Sequence, residues 1–441
     1  MSVAIISLIV LKSLFGSFEI KTIAEFDRPI AKAVFDQNTG ELKEVVLGAE
    51  PLHPADYRNS ADLPTAILFY EGGKLLKRID IPPAGIVRFF HSHSGNYVAV
   101  ERVYGERQEA APPILTGGGE FVLYNSEGKV VWKKNIVLGK YDFESPIPQV
   151  TLSDSGEFIV WGSGELAHYD LEGNKRDISE GCSDANWVRV SEDGRFFIVS
   201  HTCDGVPTLS LYHHSGQLKW RAPSPDQLDI HGIWISPHGK YVIGVSFQWD
   251  TFYEGKNVKE LPEEVRRKLL SKMRKTKLIK EGKITMRFFR VDFAFDSTGQ
   301  VLWVKKDSEY PSMAPQNPYA VHFDENADYF AQSTSKPKGP EKKGSTRLLI
   351  CRTATGEVFS SIPFSQRYWL KLAKFENNKV AFFLRKGITG PFFYEIHDLK
   401  GALIFKEELP PGFIPCYISH DLMTVKGVDI EKNGVCEVLR R

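Results

Sequence analysis

The chain has 441 residues, 42% of them apolar and 12% aromatic, so it can bury a large core and is not expected to be disordered. Its formal net charge of +1 gives no general reason to expect a nucleic acid or a membrane surface as partner. Residues 256–283 nevertheless hold eleven Lys or Arg against four Glu, so the positive charge is concentrated in one segment.

Residues 1–17 resemble a short signal peptide. An apolar run occupies residues 3–11, and the small residues Gly16 and Ser17 follow it. No Lys or Arg precedes the run and no clean A-x-A site appears, so a buried or frayed N-terminal strand is the alternative. No run reaches the roughly 18 uninterrupted apolar residues of a transmembrane helix. We predict an extracytoplasmic protein, periplasmic or secreted, with no transmembrane span.

Two types of hairpin alternate along the chain. FFHSHSGNYVAV, VTLSDSGEFIVW, VRVSEDGRFFIV and IWISPHGKYVIG share one frame around a turn glycine, and VHFDENADYFAQ and AKFENNKVAFFL are weaker copies. The second type includes FVLYNSEGKVVW, LSLYHHSGQLKW and DFAFDSTGQVLW. Two hairpins make a four-stranded unit that recurs roughly every 45 residues, which is the blade of a β-propeller with strands A to D.

The hairpin GCSDANWVRVSEDGRFFIVSHTCDG carries Cys182 and Cys203 almost equally far from its turn. A two-residue turn at Glu192 and Asp193 would place the cysteines opposite each other, within the roughly 4.4 to 6.8 Å that a disulfide requires between α-carbons. A bulge at Gly194 would shift the pairing by one residue, which loop slack could correct. We predict a Cys182–Cys203 disulfide, with two separate buried thiols as the alternative.

Such a disulfide persists only outside a reducing cytoplasm, so it agrees with the signal-peptide interpretation. The other cysteines give weaker indications. Cys351 is predicted to be a buried free thiol. A bond between Cys416 and Cys436 is an option that no symmetry of the repeat supports.

Extra chain length falls mainly between strands B and C, in EPLHPADYRNSADLP, YGERQEAAPPILTGGG, residues 251–287 and STSKPKGPEKKGS. In a propeller the B-to-C and D-to-A connections emerge on one side of the disc, which we call the loop face. Insertions on one face are where repeat proteins usually bind, so this face is the predicted interaction surface.

The longest insertion, residues 251–287, is predicted to contain a basic helix of four or five turns. Pro262 suits a first helical position, Glu263 suits the positive end of the helix dipole, and Gly282 can end the helix. The helix either lies on the propeller with its basic side in solvent or binds an anionic partner such as a polysaccharide, a membrane surface or an acidic protein. Nucleic acid is not expected, because no aromatic residues alternate with the charges.

Seven second-type hairpins are clear, and the tail after Gly401 holds two or three more strand-like runs. Those runs need a partner, and FEIKTIAEF near the N-terminus could supply the outer strand that closes the ring. We therefore predict an all-β protein, a single β-propeller of four-stranded blades over residues 18–441. Eight blades are favoured, and seven is the alternative if the tail only completes the first blade.

Trp132, Trp220 and Trp303 each stand four residues after a turn glycine, and Phe405 holds the matching place in another hairpin. With these residues, VDFAFDSTGQVLWV and CRTATGEVFSS resemble the repeat of quinoprotein-type (PQQ-like) propellers, whose outer strand ends in T-G-x-x-x-W. VSEDGRFFIVS resembles the inner hairpin of WD-repeat-like propellers. The resemblance spans most of the chain and implies the fold rather than a function, with the tryptophans packing between blades.

Quinoprotein enzymes hold their cofactor with a calcium ion, an acidic base and commonly a pair of adjacent cysteines. This chain has no adjacent cysteines, and calcium ligands cannot be assigned in it, so we predict no cofactor and no metal ion. It also contains no H-E-x-x-H, C-x-x-C or G-x-S-x-G motif.

The candidate binding site follows from the repeat frame. Counting eight residues back from the turn glycines gives Pro148, Asn186 and His231, and the weaker copies give Tyr319. These residues start inner strands and are expected to approach one another at the channel entrance on the loop face. His201 and Asp204 are assigned to the same face. The predicted ligand-binding residues are therefore Asn186, His201, Asp204, His231 and Tyr319.

Two functional classes remain open. The first is a binding scaffold that presents its loop face to a protein or a glycan. The alternative is an enzyme with a central-pocket site, such as a quinone-dependent dehydrogenase or a lactonase-type hydrolase. Converging carboxylates around a metal would favour the enzyme, and a channel lined by apolar inner-strand side chains would favour the scaffold.

Overall fold

The structure is a computed structural model, and its strands are arranged in eight sheets. It describes residues 19–48, 65–82, 84, 86–104, 119–135, 149–162, 165–183, 185–254, 256–267, 284–306, 321–336, 345–364, 368–386 and 390–439. The predicted signal peptide, Pro148 and Tyr319 lie outside these residues. No helix within the described ranges is long and apolar enough to cross a membrane.

Each sheet is one blade, and its four main strands follow the order A, B, C, D from the inside outward. Blades 1 to 4 consist of β2 (Ile30–Phe35), β3 (Leu42–Leu47), β4 (Thr65–Glu71), β5 (Lys74–Ile81); β6 (Ile86–His91), β7 (Tyr97–Val103), β8 (Gly119–Asn125), β9 (Val130–Lys134); β10 (Gln149–Leu152), β11 (Phe158–Gly162), β12 (Glu165–Tyr169), β13 (Lys175–Asp177); and β14 (Trp187–Val190), β15 (Phe196–Cys203), β16 (Val206–His213), β17 (Leu218–Pro223).

Blades 5 to 8 consist of β18 (Gly232–Ile235), β19 (Tyr241–Tyr253), β21 (Ile284–Asp296), β22 (Val301–Lys306), with the short β20 (Lys256–Asn257) paired to β19; β23 (Val321–Phe323), β24 (Tyr329–Lys336), β25 (Ser345–Arg352), β26 (Val358–Phe364); β27 (Tyr368–Glu376), β28 (Lys379–Lys386), β29 (Phe392–Asp398), β30 (Leu403–Glu408); and β31 (Phe413–Ile418), β32 (Thr424–Asp429), β33 (Gly434–Leu439), β1 (Glu19–Glu25).

The two ends of the chain close the ring. Strand β1 pairs antiparallel with β33, from Glu19 opposite Leu439 to Glu25 opposite Gly434, and so becomes the outer strand of blade 8. Ile23 and Phe26 pack against the apolar cluster that fills the space beneath it. The predicted closure by FEIKTIAEF and the count of eight blades are confirmed, and the seven-blade alternative is wrong.

Adjacent blades are held together by aromatic side chains that reach across the gap between their sheets. Trp132 of blade 2 stacks on Phe158 of blade 3 at 5.8 Å between ring centroids, and Trp220 of blade 4 stacks on Phe295 of blade 5, also at 5.8 Å. Trp220 also covers Gly299, whose φ of +83° and 2.9 Å clearance for an added β-carbon both require glycine. The predicted packing role of the tryptophans is confirmed.

Blade 5 differs from the predicted boundaries. Strands β19 and β21 each run for 13 residues and stay paired as far as Tyr253 opposite Ile284. Both ends of the predicted insertion, residues 251–253 and 284–287, therefore belong to the ladder between β19 and β21. A short helical turn occupies residues 263–267, where Arg267 bonds to Glu263 at 2.9 Å. The rest of the predicted helix lies outside the described residues.

Candidate functional site

The repeat frame holds where the structure can test it. Asn186 N–H donates to Ser200 O at 2.7 Å, and His231 N–H donates to Val245 O at 2.8 Å. Each residue therefore stands immediately before the inner strand of its blade and bonds to the neighbouring B strand. Asn186 and His231 are equivalent positions in blades 4 and 5, as the spacing predicts.

His201 and Asp204 occupy different surroundings. His201 lies in β15 with its side chain fully buried, and its Nε2 lies 2.8 Å from Ser210 Oγ. Burial, assisted by the charge of Arg221, lowers its pKa to about 4. A buried imidazole cannot contact a ligand at the channel entrance, so the structure separates His201 from the predicted channel set. Asp204 forms the turn that follows β15, with a φ of +51°.

Cys182 and Cys203 are joined in a disulfide, as predicted, with their α-carbons 4.2 Å apart. The predicted two-residue turn is wrong. Ser191 N–H donates to Phe196 O, so residues 192–195 form a four-residue turn. A regular ladder in that register would place position 184 opposite Cys203 instead of Cys182.

The segment before β14 corrects the offset. Asn186 N–H and Ser183 N–H donate to Ser200 O and Thr202 O, both at 2.7 Å. Between the pair Trp187–Ser200 and the pair Cys182–Cys203, five residues on one side therefore span three on the other. Of the remaining thiols, Cys351 is free and buried as predicted. Cys416 and Cys436 are also free, so the optional bond between them is not formed.

A cavity of about 560 Å³ opens onto the inner strands of blades 7, 8 and 1 and the A-to-B turn of blade 2. The A strand is the innermost strand of each blade, so a cavity lined by the A strands of three consecutive blades lies on the channel side of the ring. Its wall combines apolar side chains with two lysines, a thiol and two histidines. The residues used below are Ile30, Leu372, Ile414, Lys32, Lys371, Cys416 and His93, and we call this cavity the channel pocket.

The inner strands that line the channel pocket are irregular in the same way. The pairing of each A strand with its B strand skips one residue, which is Ala31 in β2, Lys371 in β27 and Cys416 in β31. The described inner strands of blades 2 to 6 pair without such a shift. A β-bulge changes the direction of a side chain and is enriched beside functional sites. Three adjacent blades therefore redirect residues at one place in the channel.

The charges of the channel pocket are grouped around Cys416. Burial raises the pKa of the Cys416 thiol to about 11, while the ammonium groups of Lys371 and Lys32 act in the opposite direction. Both lysines are exposed to the channel. Because the thiol stays protonated at neutral pH, Cys416 is not an activated nucleophile. The local field comes from the two cations, which favour an anionic group in the pocket.

A second group of charges lies at the end of the channel opposite the loop face, where the A-to-B turns converge. We call Glu192, His93, Asp324 and Lys374, from four different blades, the turn-end cluster. Glu192 keeps a solvent-exposed surface, but the protein around it displaces much of its water, and this desolvation raises the pKa of its carboxyl group. His93 and Lys374 act against this rise, and Asp324 adds to it.

Glu192→Gln is expected to raise the melting temperature at neutral pH. A carboxyl group whose pKa is higher in the folded state favours folding when protonated, so its ionisation costs stability as the pH rises above the ordinary value of 4.5. The gain should therefore shrink as the pH falls below 4.5. Thermal unfolding followed by circular dichroism between pH 4 and 8 measures it.

The adjacent residue provides a control of opposite sign. Burial alone would raise the pKa of Asp193, but hydrogen bonds from Ser191 Oγ and from His238 outweigh it and lower the pKa. Asp193→Asn should therefore destabilise the protein at neutral pH. Equal shifts of the same sign in both variants would contradict the electrostatic description of this end of the channel.

Sequence reasoning missed the channel pocket and the turn-end cluster. Both histidines of FHSHSG line the channel pocket; the His91 side chain is buried beside Glu44 at 2.7 Å, and His93 is exposed. The usable signal was the presence of lysines inside two otherwise apolar inner strands, IAKAVF and YWLKLAKFE. A charged residue on a strand that should be buried indicates that its side chain reaches water.

The fold is shared with a solved propeller. The Dos1 propeller superposes with a TM-score of 0.50 at 9% identity, over 97% of this chain and 96% of that chain. Kuenenia stuttgartiensis hydrazine synthase gives 0.43 at 13% identity, over 80% and 94%. The β-propeller domain of Myceliophteria thermophila Cps50 (Swd1) gives 0.39 at 11%, over 82% and 98%. No family model and no curated protein matches the chain. At these identities the similarity concerns the fold alone.

Proposed function

We propose that the protein is a binding scaffold whose channel pocket takes up an anionic group attached to an apolar body. The observation that carries the proposal is the set of three adjacent inner-strand bulges, which turn Lys371 and Cys416 toward the cavity beside Lys32. Bulges in the inner strands of three consecutive blades are a departure from regular pairing. The fold does not require these bulges, because the described inner strands of blades 2 to 6 form without them. Ligand recognition gives a reason for them.

The composition of the wall sets the ligand class. Ile30, Leu372 and Ile414 offer apolar surface, and Ile414 is 36% exposed. Burying an apolar group there gains about 25 cal/mol per Å². The lysines add attraction for a carboxylate, sulfonate or phosphate in a confined space. A small amphiphilic anion or an acidic, apolar segment of a partner protein has this chemistry.

Four further proposals come from the sequence. A protein or glycan ligand would occupy the loop face, where the long arms β19 and β21 project. An anionic partner would contact residues 256–283, of which Lys256, Arg266 and Arg267 lie in described structure. An extracytoplasmic location is supported by the Cys182–Cys203 disulfide, since such bonds persist in oxidising compartments. A quinoprotein-type repeat is supported by the tryptophan-to-glycine packing between blades.

The amphiphilic anion 8-anilinonaphthalene-1-sulfonate is a suitable probe. The native protein is expected to bind one molecule, with a rise in fluorescence that weakens at high salt. Reversing both channel charges, Lys32→Glu with Lys371→Glu, should reduce the affinity at least about tenfold, because attraction becomes repulsion. Fluorescence titration with a stoichiometry plot measures both quantities.

The matched control reverses two lysines outside the channel, Lys74→Glu with Lys400→Glu, in exposed C-to-D turn regions. This variant has the same net charge as the channel variant and should bind the probe like the native chain. The proposal is contradicted if the two variants lose affinity equally, or if neither loses affinity.

An enzyme with a central site is the second candidate, and the turn-end cluster is the observation that favours it. Glu192 and Asp324 both have raised pKa values, chiefly through burial. Carboxyl groups with raised pKa values near a cavity are suited to proton transfer. This candidate predicts that Glu192→Gln abolishes a hydrolytic activity on a lactone or ester panel without lowering stability. The scaffold proposal predicts no such activity in the native chain.

A further inference from the structure

A third group of chemically active side chains lies in blade 4, away from the channel pocket. Cys182, Cys203 and His201 place two sulfur atoms and an imidazole nitrogen within 4.8 Å of one another. His201 and Cys203 are two residues apart on β15 and so point to the same side of the sheet, and Cys182 pairs across from Cys203. The backbone therefore fixes all three on one side of one blade.

The imidazole is arranged as metal-binding histidines usually are. Its Nε2 lies 2.8 Å from Ser210 Oγ, which also accepts a hydrogen bond from Arg221 Nε at 3.1 Å. The other nitrogen, Nδ1, is buried and has no hydrogen-bond partner among the described residues. An outer hydrogen bond on one ring nitrogen fixes the tautomer that leaves the other nitrogen able to coordinate a metal.

A buried polar atom without a partner is uncommon and calls for an explanation. A ring nitrogen of His201 lies within 4.8 Å of the sulfur atoms of two half-buried cysteines, so an ion or a reductant can reach the sulfur atoms from solvent. Two thiolates and one imidazole form a ligand set that Zn²⁺ prefers, with water in the fourth position.

We propose that blade 4 contains a redox-controlled zinc site, in which reduction of the Cys182–Cys203 disulfide allows both sulfurs and His201 Nδ1 to bind one Zn²⁺. Reduction takes two electrons and two protons from a dithiol, which becomes a disulfide. Zn²⁺ then replaces the two thiol protons, which pass to solvent. Reoxidation by a disulfide compound passes two electrons from the two thiolates to that compound, which takes up two protons from solvent and becomes a dithiol. Both Zn–S bonds break, the Cys182–Cys203 disulfide re-forms and the ion is released.

The site is separate from the proposed channel ligand and does not depend on it. Exchanging the disulfide for zinc would change only the crosslink itself, because the disulfide and the metal restrain the same two segments of the chain. The chain before β14 stays tied to the end of β15 in either state. A change of redox conditions would exchange one crosslink for the other without releasing the blade.

Cobalt provides the direct test on the full chain. The protein is reduced under anaerobic conditions with tris(2-carboxyethyl)phosphine, freed of reductant and titrated with Co²⁺. One equivalent is expected to give thiolate-to-cobalt charge-transfer absorption and the visible bands of tetrahedral Co²⁺, and one equivalent of Zn²⁺ should abolish them. The oxidised protein should give neither signal. Reduced protein without a stoichiometric tetrahedral spectrum would overturn the proposal.

Variants locate the ion. Cys182→Ser with Cys203→Ser should abolish the spectrum, whereas Cys416→Ser with Cys436→Ser should preserve it. Ser210→Ala, which keeps all three ligands, should weaken binding by about 10- to 100-fold. A spectrum that survives in the Cys182→Ser, Cys203→Ser variant would also overturn the proposal.

A second measurement applies if those variants fold poorly. Zn²⁺ should slow re-formation of the Cys182–Cys203 disulfide in the reduced native chain, as followed by mass spectrometry of alkylated digests. His201→Gln should remove this protection while leaving reoxidation without zinc unchanged. Equal reoxidation rates with and without zinc in the native chain would contradict the site.

Discussion

Removing residues 1–27 is expected to destabilise the fold more than any single substitution, because the deletion takes away the outer strand of blade 8. Strand β1 forms the antiparallel ladder with β33, and Phe26 N–H donates to Asn433 O at 2.9 Å. Ile23 and Phe26 would also leave the apolar cluster they cover. We expect a loss of more than about 4 kcal/mol, seen as a large fall in melting temperature or as insoluble protein.

A shorter truncation provides the control. Removing residues 1–18 leaves every described strand complete, so it should unfold at nearly the temperature of the full chain. Thermal unfolding followed by circular dichroism compares the two deletions. Equal melting temperatures would show that the ring is not closed through β1.

Gly427→Ala is expected to be the most damaging of the small substitutions. Gly427 faces the bulged inner strand β31, and a β-carbon added there would lie 2.2 Å from the backbone oxygen of Ile414. A backbone atom cannot rotate away like the end of a side chain, so the strands must separate and the bulge must change. We expect a loss of about 2 to 3 kcal/mol, measured by chemical denaturation.

Gly434 of β33 offers a matched comparison in the same blade. A β-carbon there would meet its nearest neighbour, Ala24 O, at an ordinary 3.4 Å. Gly434→Ala should therefore change the free energy of unfolding by less than about 1 kcal/mol. If Gly427→Ala changes the free energy of unfolding as little as Gly434→Ala does, the close contact between Gly427 and Ile414 O is contradicted. Gly427→Ala should also weaken binding in the channel pocket, which Gly434→Ala should leave intact.

The architecture could be predicted because short local sequence patterns recur in most of the blades. Each turn glycine marks a hairpin, and Trp132, Trp220 and Trp303 mark the same place in blades 2, 4 and 5. The closing strand was recognisable because the tail contained strands without a fourth partner. The disulfide was predicted correctly although the predicted turn was two residues too short. The irregular segment before β14 compensates for the resulting error in register.

The channel pocket could not be predicted in the same way. A bulge depends on how one strand pairs with the next, and no short pattern in β2, β27 or β31 identifies the skipped residue. Lys371 and Cys416 therefore looked like ordinary alternating positions. His201 was placed with the loop-face residues because the sequence gives its strand but not its depth. The candidate site found in the structure therefore lies within the channel, whereas the sequence placed it at the channel entrance on the loop face.

Protection of Cys416 tests the channel binding site most directly, because its thiol lies within the proposed pocket. Alkylation of Cys416 by iodoacetamide is followed by mass spectrometry at alkaline pH, with and without 8-anilinonaphthalene-1-sulfonate. At ten times its dissociation constant the bound probe should slow the reaction about tenfold, and the Lys32→Glu, Lys371→Glu variant should show little protection at that concentration. Saturating binding of the probe with an unchanged Cys416 alkylation rate would contradict a binding site in the channel.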